Sequence, residues 1–193
     1  TARRRAGRRP SALRAVRALG AAVKVTPGQW QIDGIPGELR PREGTIDVGN
    51  SGTTLRLLTG AAALLPPAAE VVLTGDRQIL SRPNRPLIEA LNQLGAEVRS
   101  PDNDHAPLTV RGQLAGGHAT VEGKSSQFLS SLLLACPRAT GDTVLDVPTL
   151  CERPYVQMTL DWLKRQNIAL EHDMMRQFHI PGGQRFKAFQ ERI

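Results

Sequence analysis

Two short polar segments have the composition of anion-binding helix starts. Asn50-Ser51-Gly52-Thr53 and Lys124-Ser125-Ser126-Gln127 each follow a strand-like run and precede an apolar run typical of a helix. The first residues of a helix present unpaired backbone N–H groups and a partial positive charge, and small residues let a ligand approach them. Arg82 and Arg153 could add guanidinium groups that bind phosphate or carboxylate. The sequence therefore predicts a site for a small, multiply charged anion.

Each of these features also has a purely structural interpretation. Asn, Ser and Thr are common N-cap residues, so one such segment alone indicates only the start of a helix. Gly123-Lys124-Ser125 resembles the end of a phosphate-binding P-loop, but His118 stands where that motif requires glycine, so we reject a nucleotide site. Arg82 and Arg153, each followed by proline, are equally compatible with solvated residues at helix starts.

The remaining reactive side chains indicate neither a metal site nor a nucleophile. Cys136 falls in an apolar helix and is predicted to be core, and Cys151 lies in a polar loop with no activating feature. No Cys/His cluster has the spacing of zinc ligands. We therefore expect no metal and no cofactor, and we assign no catalytic residue. The histidines are isolated in sequence: His105, His118, His172 and His179.

The composition is that of a folded protein of about one domain. The chain has 193 residues, of which 40% are apolar and 22% are charged, enough to bury a core without disulfides or metals. Aromatic residues make up 4%, which disfavours base-stacking surfaces for nucleic acid. No apolar run reaches the ~18 residues of a membrane-spanning helix, and no apolar signal segment opens the chain, so a cytoplasmic protein is expected.

The net charge of +7 is concentrated at one end of the chain. Residues 1–14 contain 6 arginines and no acidic residue, whereas the rest of the chain, with 19 basic and 18 acidic side chains, carries a charge of +1. A folded nucleic-acid surface would distribute its arginines over a groove-facing element, so a nucleic-acid partner is disfavoured. A non-catalytic basic module that binds nucleic acid through Arg3 to Arg9 is kept as an alternative.

Three segments share one pattern, in which Arg-Pro is followed by an amphipathic helix and a short extended stretch. They begin at Arg9-Pro10, Arg82-Pro83 and Arg153-Pro154, which are 73 and 71 residues apart. Proline suits the first turn of a helix, and glycine, as in Leu19-Gly20-Ala21 and Leu94-Gly95-Ala96, suits its end. Each helix is predicted to bury one face, formed in the second and third copies by Leu87, Ile88, Leu91 and Leu94, and by Val156, Leu160 and Leu163.

A second type of helix alternates with the first. Strand-like runs at 45–48 and 119–122 lead through the polar segments into helices predicted over 54–65 and 128–135, which are apolar nearly all round and should be buried. These elements predict α/β units of about 72 residues in mostly antiparallel sheets. The order of helix types places a further buried helix before residue 1, so we expect an internal piece of a longer protein. The other predicted strands are 70–74, 108–111 and 143–147.

Five motifs carry a resemblance to a known family. They are Asn50 to Arg56, Leu73-Thr74-Gly75-Asp76, Arg82-Pro83, Ser125 to Leu129 and Arg153-Pro154-Tyr155. In their order and approximate spacing these motifs resemble the 5-enolpyruvylshikimate-3-phosphate synthase family, and the Ser-Ser-Gln-Phe and Gly-Thr-Thr-Leu-Arg segments are together highly specific. The resemblance runs from about Leu13 to Gln184 and covers only about the N-terminal half of a family member.

The resemblance implies both a fold and a reaction. Family members have an inside-out fold of two domains, each built from three βαβαββ units with sheets outside and buried helices within. They transfer the enolpyruvyl group of phosphoenolpyruvate to the 5-hydroxyl of shikimate 3-phosphate, on the pathway to chorismate and aromatic amino acids. Residues 13–184 would form one such domain with an incomplete first unit. Residues 1–12 would be a basic, disordered or atypical segment, and residues 185–193 a tail.

The resemblance also implies which residues bind substrate. One group would hold shikimate 3-phosphate, a second would hold phosphoenolpyruvate, and a third would shape the turn between them. These residues are Ser125, Ser126, Gln127 (also near the enolpyruvyl group) and Tyr155 for shikimate 3-phosphate, Gly52 and Arg82 for phosphoenolpyruvate, and Asn50 and Thr53 for the turn at Gly52.

Two departures from the family bear on activity. The family's Gly-Ser-Lys-Ser segment and its second domain have no counterpart here, so the isolated chain is expected to be inactive. Glu152 stands where the family usually has a phosphate-binding serine, and a carboxylate there would repel a phosphate. A related transferase that acts on UDP-N-acetylglucosamine is an alternative, disfavoured by Ser125-Ser126-Gln127 and by the absence of a suitable cysteine loop.

Overall fold

Short strands and helices alternate along the chain. The computed structural model describes residues 11–35 and 37–191. The helices are α1, helical over residues 11–18, α2 (Gly52–Ala62), α3 (Arg77–Leu80), α4 (Arg85–Gln93), α5 (Ser126–Ala135) and α6 (Arg153–Arg165), and a 3-10 turn covers Cys136–Arg138. The strands are β1 (Ala22–Thr26), β2 (Gln29–Asp33), β3 (Thr45–Asp47), β4 (Glu70–Thr74), β5 (Glu97–Arg99), β6 (Leu108–Arg111), β7 (Gly117–Thr120), β8 (Thr143–Asp146), β9 (Glu171–Asp173) and β10 (Gln177–Ile180).

The described residues form part of a first βαβαββ unit, followed by a complete second and a complete third unit, which confirms the predicted architecture. The second unit has the sheet order β3-β4-β6-β5, and the third unit has the equivalent order β7-β8-β10-β9. In each sheet the first two strands are parallel and the other pairs are antiparallel. Parallel neighbours need a crossover connection, which α2 and α5 provide. The described part of the first unit is α1 with the antiparallel ribbon of β1 and β2.

Helices α2 and α5 pack against each other in the interior, as their apolar composition predicts. They meet at a small residue, because a β-carbon on Gly60 would lie 2.8 Å from the backbone oxygen of Ser131. The Ser131 hydroxyl donates a hydrogen bond of 2.7 Å to the carbonyl oxygen of Arg56, so both buried groups have a partner. The two buried helices of successive units therefore lie side by side between the sheets.

Helices α4 and α6 each bury one face, as predicted. Gly20 and Gly95 follow α1 and α4 with φ angles of 116° and 92°, a conformation that L-residues rarely adopt, which confirms these glycines as helix ends. The predicted apolar faces are buried, with 0% exposure for Leu87, Ile88, Leu91, Leu94, Val156 and Leu163 and 7% for Leu160.

The predicted start of the second amphipathic helix at Arg82-Pro83 is wrong. Helix α4 begins at Arg85, and a separate short helix, α3, precedes it. The carboxylate of Asp104 accepts the backbone N–H groups of Asn84 and Arg85 at 2.9 and 2.8 Å, which fixes the helix start beyond Pro83. The third start, at Arg153 with Pro154 in the first turn, is confirmed. The first, at Arg9-Pro10, lies outside the described residues.

Other boundaries differ from the predictions by one to three residues. Ser51 and Ser125 are the N-caps of α2 and α5, so these helices begin earlier than the apolar runs do. Strand β7 begins at Gly117 because it pairs along the whole of β8, from Thr143 onward. The corrected helix ranges are 52–62 in place of 54–65 and 126–135 in place of 128–135. The corrected strand ranges are 45–47 in place of 45–48, 117–120 in place of 119–122, and 143–146 in place of 143–147.

The C-terminal residues contact the third unit. Residues 185–191 form neither helix nor strand. The ring of Phe189 packs edge-on against Trp162 of α6, with 4.7 Å between ring centroids, and the Lys187 N–H donates to the side chain of Gln166. The division at residues 12 and 184 stays a prediction. Within the described ranges, no helix is long and apolar enough to cross a bilayer.

Candidate anion-binding site

The structure brings the two polar segments together at the starts of α2 and α5. The side-chain amide of Gln127 donates a hydrogen bond of 3.0 Å to the Thr53 hydroxyl, which joins the two helix starts directly. Gln127 and Thr53 are 74 residues apart, about one repeat. The backbone N–H groups of both helix starts therefore face a common surface.

The two N-cap serines serve the helices themselves. Ser51 Oγ accepts the backbone N–H of Thr54 at 3.3 Å, and Ser125 Oγ accepts the backbone N–H of Gln127 at 3.4 Å. These contacts match the structural interpretation of the segments. The Ser125 hydroxyl also accepts a hydrogen bond from the guanidinium of Arg56, so it contributes to the site as well.

Arg56 is the central residue of the site, and sequence reasoning missed it. Its side chain, on the second turn of α2, is only 9% exposed. The guanidinium lies over the ring of Phe128, 4.5 Å from the centroid. Its hydrogen bonds reach the Asn84 side chain (3.3 Å), Ser125 Oγ (3.2 Å), Gln127 Oε1 (3.0 Å) and the Pro83 carbonyl (3.0 Å). A lone arginine within an otherwise apolar helix was the available signal, because a buried guanidinium requires such partners.

The pKa of Arg56 is perturbed by its surroundings. Burial lowers the pKa of the guanidinium below its usual value, and the neighbouring charge of Arg82 lowers the pKa further, whereas Glu152 raises it. Arginine remains protonated at neutral pH because its unperturbed pKa exceeds 12. Two like charges therefore lie at the start of α2, where a bound anion would relieve their repulsion.

Arg82 lies directly over Gly52, the first residue of α2. A β-carbon at position 52 would be 2.8 Å from Nη1 of Arg82 and 3.5 Å from its Cδ. The glycine thus leaves room for an exposed guanidinium to rest on the helix start. This arrangement places a guanidinium beside the backbone N–H groups of the helix start, which suits a carboxylate or phosphate.

Asn50 points away from the helix starts and supports the turn. Its side-chain N–H₂ donates to the Asp76 carboxylate at 2.5 Å and to Gln78 Oε1 at 2.8 Å. The hydrogen bond from Asn50 to Asp76 and those from the backbone N–H groups of α3 lower the pKa of Asp76. Asn50 therefore ties the turn before Gly52 to the start of α3, which is a positioning role.

Ser126 faces a carboxylate. Its hydroxyl donates to Oε2 of Glu152 at 2.9 Å, and its backbone N–H donates to the same atom at 3.3 Å. Glu152 comes from the start of α6, so this contact links α5 to α6. Instead of facing open solvent, the Ser126 donors are occupied by an anionic group of the chain itself.

Tyr155 and Arg153 lie on the first turn of α6. Tyr155 is 59% exposed and Arg153 is also exposed. Arg153 lines a groove of about 480 Å³ between the ends of β7 and β8 and the start of α6, together with Asp146 and Arg176. Of the residues predicted to bind an anion or a substrate, Arg153 alone lines this groove. The groove is therefore separate from the two helix starts, which contribute no residue to its lining.

The fold and the site together define a class of protein. The chain is a repeated βαβαββ domain in which buried helices of successive units direct their N-termini, two arginines and several hydroxyls toward one surface. A family model described as EPSP synthase (3-phosphoshikimate 1-carboxyvinyltransferase) matches residues 10–193, and the chain belongs to this family.

Individual relatives agree with the family match. The 3-phosphoshikimate 1-carboxyvinyltransferase of Methanothrix thermoacetophila is 47% identical over 175 residues, covering 88% of this chain and 40% of the relative. That of Acetivibrio thermocellus is 43% identical over 178 residues, covering 92% and 42%. The solved EPSP synthase of Acinetobacter baumannii superposes with a TM-score of 0.77 at 25% identity, covering 92% of this chain and 39% of that one.

The comparisons also bear on the extent of the chain and on the alternatives. The chain spans about 40% of the length of the curated relatives it matches. The family match does not favour the UDP-N-acetylglucosamine transferase or the nucleic-acid-binding module. Arg3 to Arg9, on which the latter depends, lie outside the described residues.

Proposed function

We propose that this chain forms part of an enzyme that transfers the enolpyruvyl group of phosphoenolpyruvate to the 5-hydroxyl of shikimate 3-phosphate. The observation that carries the proposal is the bridge between Thr53 and Gln127, which joins two helix N-termini beside Arg56 and Arg82. Both substrates are phosphorylated carboxylates, and such a surface binds multiply charged anions.

The site residues divide between the two substrates. Ser125, Ser126 and Gln127 bind shikimate 3-phosphate, and Tyr155 lines its pocket. Phosphoenolpyruvate binds at the start of α2, against the backbone of Gly52 and the guanidinium of Arg82. Gln127 lies at the junction because its amide reaches Thr53 at 3.0 Å. Asn50 and Thr53 hold the turn that positions Gly52.

The chemistry requires charge stabilisation and two proton transfers. The 5-hydroxyl oxygen bonds to C2 of phosphoenolpyruvate while C3 gains a proton and the hydroxyl loses one. The C2–O bond to phosphate then breaks, C3 loses a proton and inorganic phosphate leaves. The arginines bind the anionic groups throughout. We assign no general acid or base to this chain, so the proton-transfer groups belong to the part of the longer relatives that it does not match.

The proposal extends to the partner and the compartment. A second domain completes the site, and the isolated chain should show no measurable turnover. The expected compartment is the cytoplasm, which is reducing and therefore compatible with the two free cysteines, buried Cys136 and exposed Cys151.

Titration calorimetry on the full chain tests this function. Shikimate 3-phosphate should bind with a dissociation constant in the millimolar range, roughly −4 kcal/mol, because only half of the site is present. Unphosphorylated shikimate should bind at least tenfold more weakly, and Gln127→Ala should weaken the binding of shikimate 3-phosphate. Equal heats for the two ligands would contradict a phosphate-dependent site.

A further inference from the structure

The carboxylate of Glu152 occupies the donors at the start of α5. Its Oε2 accepts the Ser126 hydroxyl at 2.9 Å and the Ser126 backbone N–H at 3.3 Å. Ser126 itself is only 3% exposed, so its donors have little access to water. A backbone N–H and a hydroxyl at a helix start are the groups that a phosphate oxygen would use.

Glu152 reaches Ser126 from a left-handed backbone position. It is the N-cap residue of α6, with φ 56° and ψ 41°, and its side chain makes no hydrogen bond to its own helix. This left-handed conformation is unfavourable for a residue with a β-carbon. The turn directs the side chain toward α5. Because Glu152 is exposed, its carboxylate can leave Ser126 by rotating into solvent.

The same carboxylate balances the positive charge of the site. No acidic residue lies in the first turn of α5. Burial and the neighbouring charge of Arg82 lower the pKa of Arg56, whereas the charge of Glu152 raises it. A negative charge at a helix N-terminus is stabilising. Because Glu152 already places a negative charge at the start of α5, a second anion there gains less stabilisation from the helix N-terminus and is repelled by the carboxylate.

We propose that Glu152 is an internal competitor for the phosphate group at Ser126 and sets the anion affinity of the site. This inference rests on the proposed function and deepens it, because it identifies one residue that controls access to the shikimate 3-phosphate subsite. A ligand phosphate binds Ser126 only after the Glu152 carboxylate has turned away. The negative charge of Glu152 weakens phosphate binding by repulsion. Its two hydrogen bonds weaken phosphate binding further because they occupy the Ser126 donors.

Two variants of Glu152 separate charge from occupancy. Glu152→Ala removes both, whereas Glu152→Gln keeps an acceptor oxygen without the charge, and both keep the β-carbon at the left-handed position. In calorimetry with shikimate 3-phosphate and with inorganic phosphate, Glu152→Ala should bind each ligand at least tenfold more tightly than the original chain. Glu152→Gln should show a smaller gain. Glu171→Ala, which removes an exposed carboxylate from edge strand β9, should change neither affinity.

The outcomes distinguish this inference from the proposed function. If shikimate 3-phosphate binds and Glu152→Ala leaves its affinity unchanged, the competitor role is wrong while the proposed function stands. If neither the original chain nor Glu152→Ala binds the ligand, the proposed function fails and the competitor role fails with it.

A ligand-free measurement tests the contact itself. In ¹⁵N-resolved NMR spectra of the full chain, the Ser126 amide resonance should shift in Glu152→Ala and remain in place in Glu171→Ala. An unchanged Ser126 resonance in Glu152→Ala would show that the carboxylate does not occupy the helix start in solution, which overturns the inference.

Discussion

The guanidinium of Arg82 rests on the α-carbon of Gly52, so closely that a β-carbon at position 52 would lie 2.8 Å from Nη1. The arginine belongs to the loop between α3 and α4, whereas the glycine begins α2. Their contact brings a charged group from the unit's second half over the helix start in its first half. The anion site thus depends on a side chain being absent as much as on those that are present.

Gly52→Ala should therefore weaken anion binding while leaving the fold intact. The added methyl group displaces a flexible arginine tip, which costs little stability, but the guanidinium then moves away from the helix N–H groups. We expect the dissociation constant of phosphoenolpyruvate to rise about tenfold, about 1.4 kcal/mol, with a melting temperature close to that of the original chain. Calorimetry and thermal unfolding on the same samples measure both. Unaltered phosphoenolpyruvate affinity would show that Arg82 does not act at Gly52.

Arg56→Met should destabilise the domain. Methionine fills most of the volume, but the Pro83 carbonyl and the side chains of Asn84, Ser125 and Gln127 lose their donor. Hydrogen bonds to charged groups contribute about 1.5–3 kcal/mol each, and some of these acceptors will regain water, so a loss of roughly 2–4 kcal/mol in unfolding free energy is expected. Urea unfolding measures it. Arg77→Met, on the exposed face of α3, is the matched control and should change stability by less than about 0.5 kcal/mol.

Gly60→Ala should separate the two buried helices. A β-carbon there would contact the Ser131 hydroxyl and approach the Ser131 backbone oxygen to 2.8 Å, and backbone of a packed helix cannot move cheaply. Overpacking of this kind costs about 1–3 kcal/mol, more than the helix propensity gained from alanine. Chemical denaturation should show the loss. Gly44→Ala should be nearly neutral, because a β-carbon there would have no neighbouring residue within 4 Å apart from those adjacent in the chain. Equal stability of the two variants would contradict the close packing of α2 and α5.

Only one of the two cysteines should react in the folded protein. Burial raises the pKa of the Cys136 thiol from 9.0 to about 12, and the thiolate is the reactive form. Cys151 is exposed. A thiol reagent at pH 8 should therefore label Cys151 alone in the native chain and both thiols after denaturation. Labelling of native Cys136 would contradict its burial.

The same thiol makes stability depend on pH. Because folding raises the pKa of Cys136, the protonated thiol favours the folded state. Its contribution is fully present below pH 9 and is lost as the pH rises from 9 toward 12. The stability difference between the original chain and Cys136→Ala should shrink over that range, since alanine does not titrate and the other groups are common to both proteins. A constant difference would exclude the effect.

The sequence predicts the repeat and its helices better than it predicts the site. Strands 70–74 and 108–111 match the observed β4 and β6, because alternation of buried and exposed residues is a local signal. The helix end at Gly95 is likewise local, since its positive φ requires glycine. The start of α4 is different, because it depends on Asp104, which follows 19 residues after Arg85.

The site's central contacts are not local and could not be predicted from one sequence. Arg56 is joined to Ser125, 69 residues away, through a packing of two helices that the pattern alone does not orient. Glu152 could be identified as a departure from the family, yet its hydrogen bonds to Ser126 depend on a left-handed backbone conformation that no motif reveals. The sequence thus predicts which residue types gather at the helix starts, and the tertiary structure determines which of them face each other.

The strand order of the units determines when each sheet can be completed as the chain is synthesised. In each four-stranded sheet the strand translated last is inserted between two earlier ones, β6 between β4 and β5, and β10 between β8 and β9. As the nascent chain leaves the ribosome, β5 and β9 have no neighbour to pair with until that final strand emerges. The sheet of each unit can therefore be completed only after its last strand has left the exit tunnel, at Arg111 for the second unit and at Ile180 for the third.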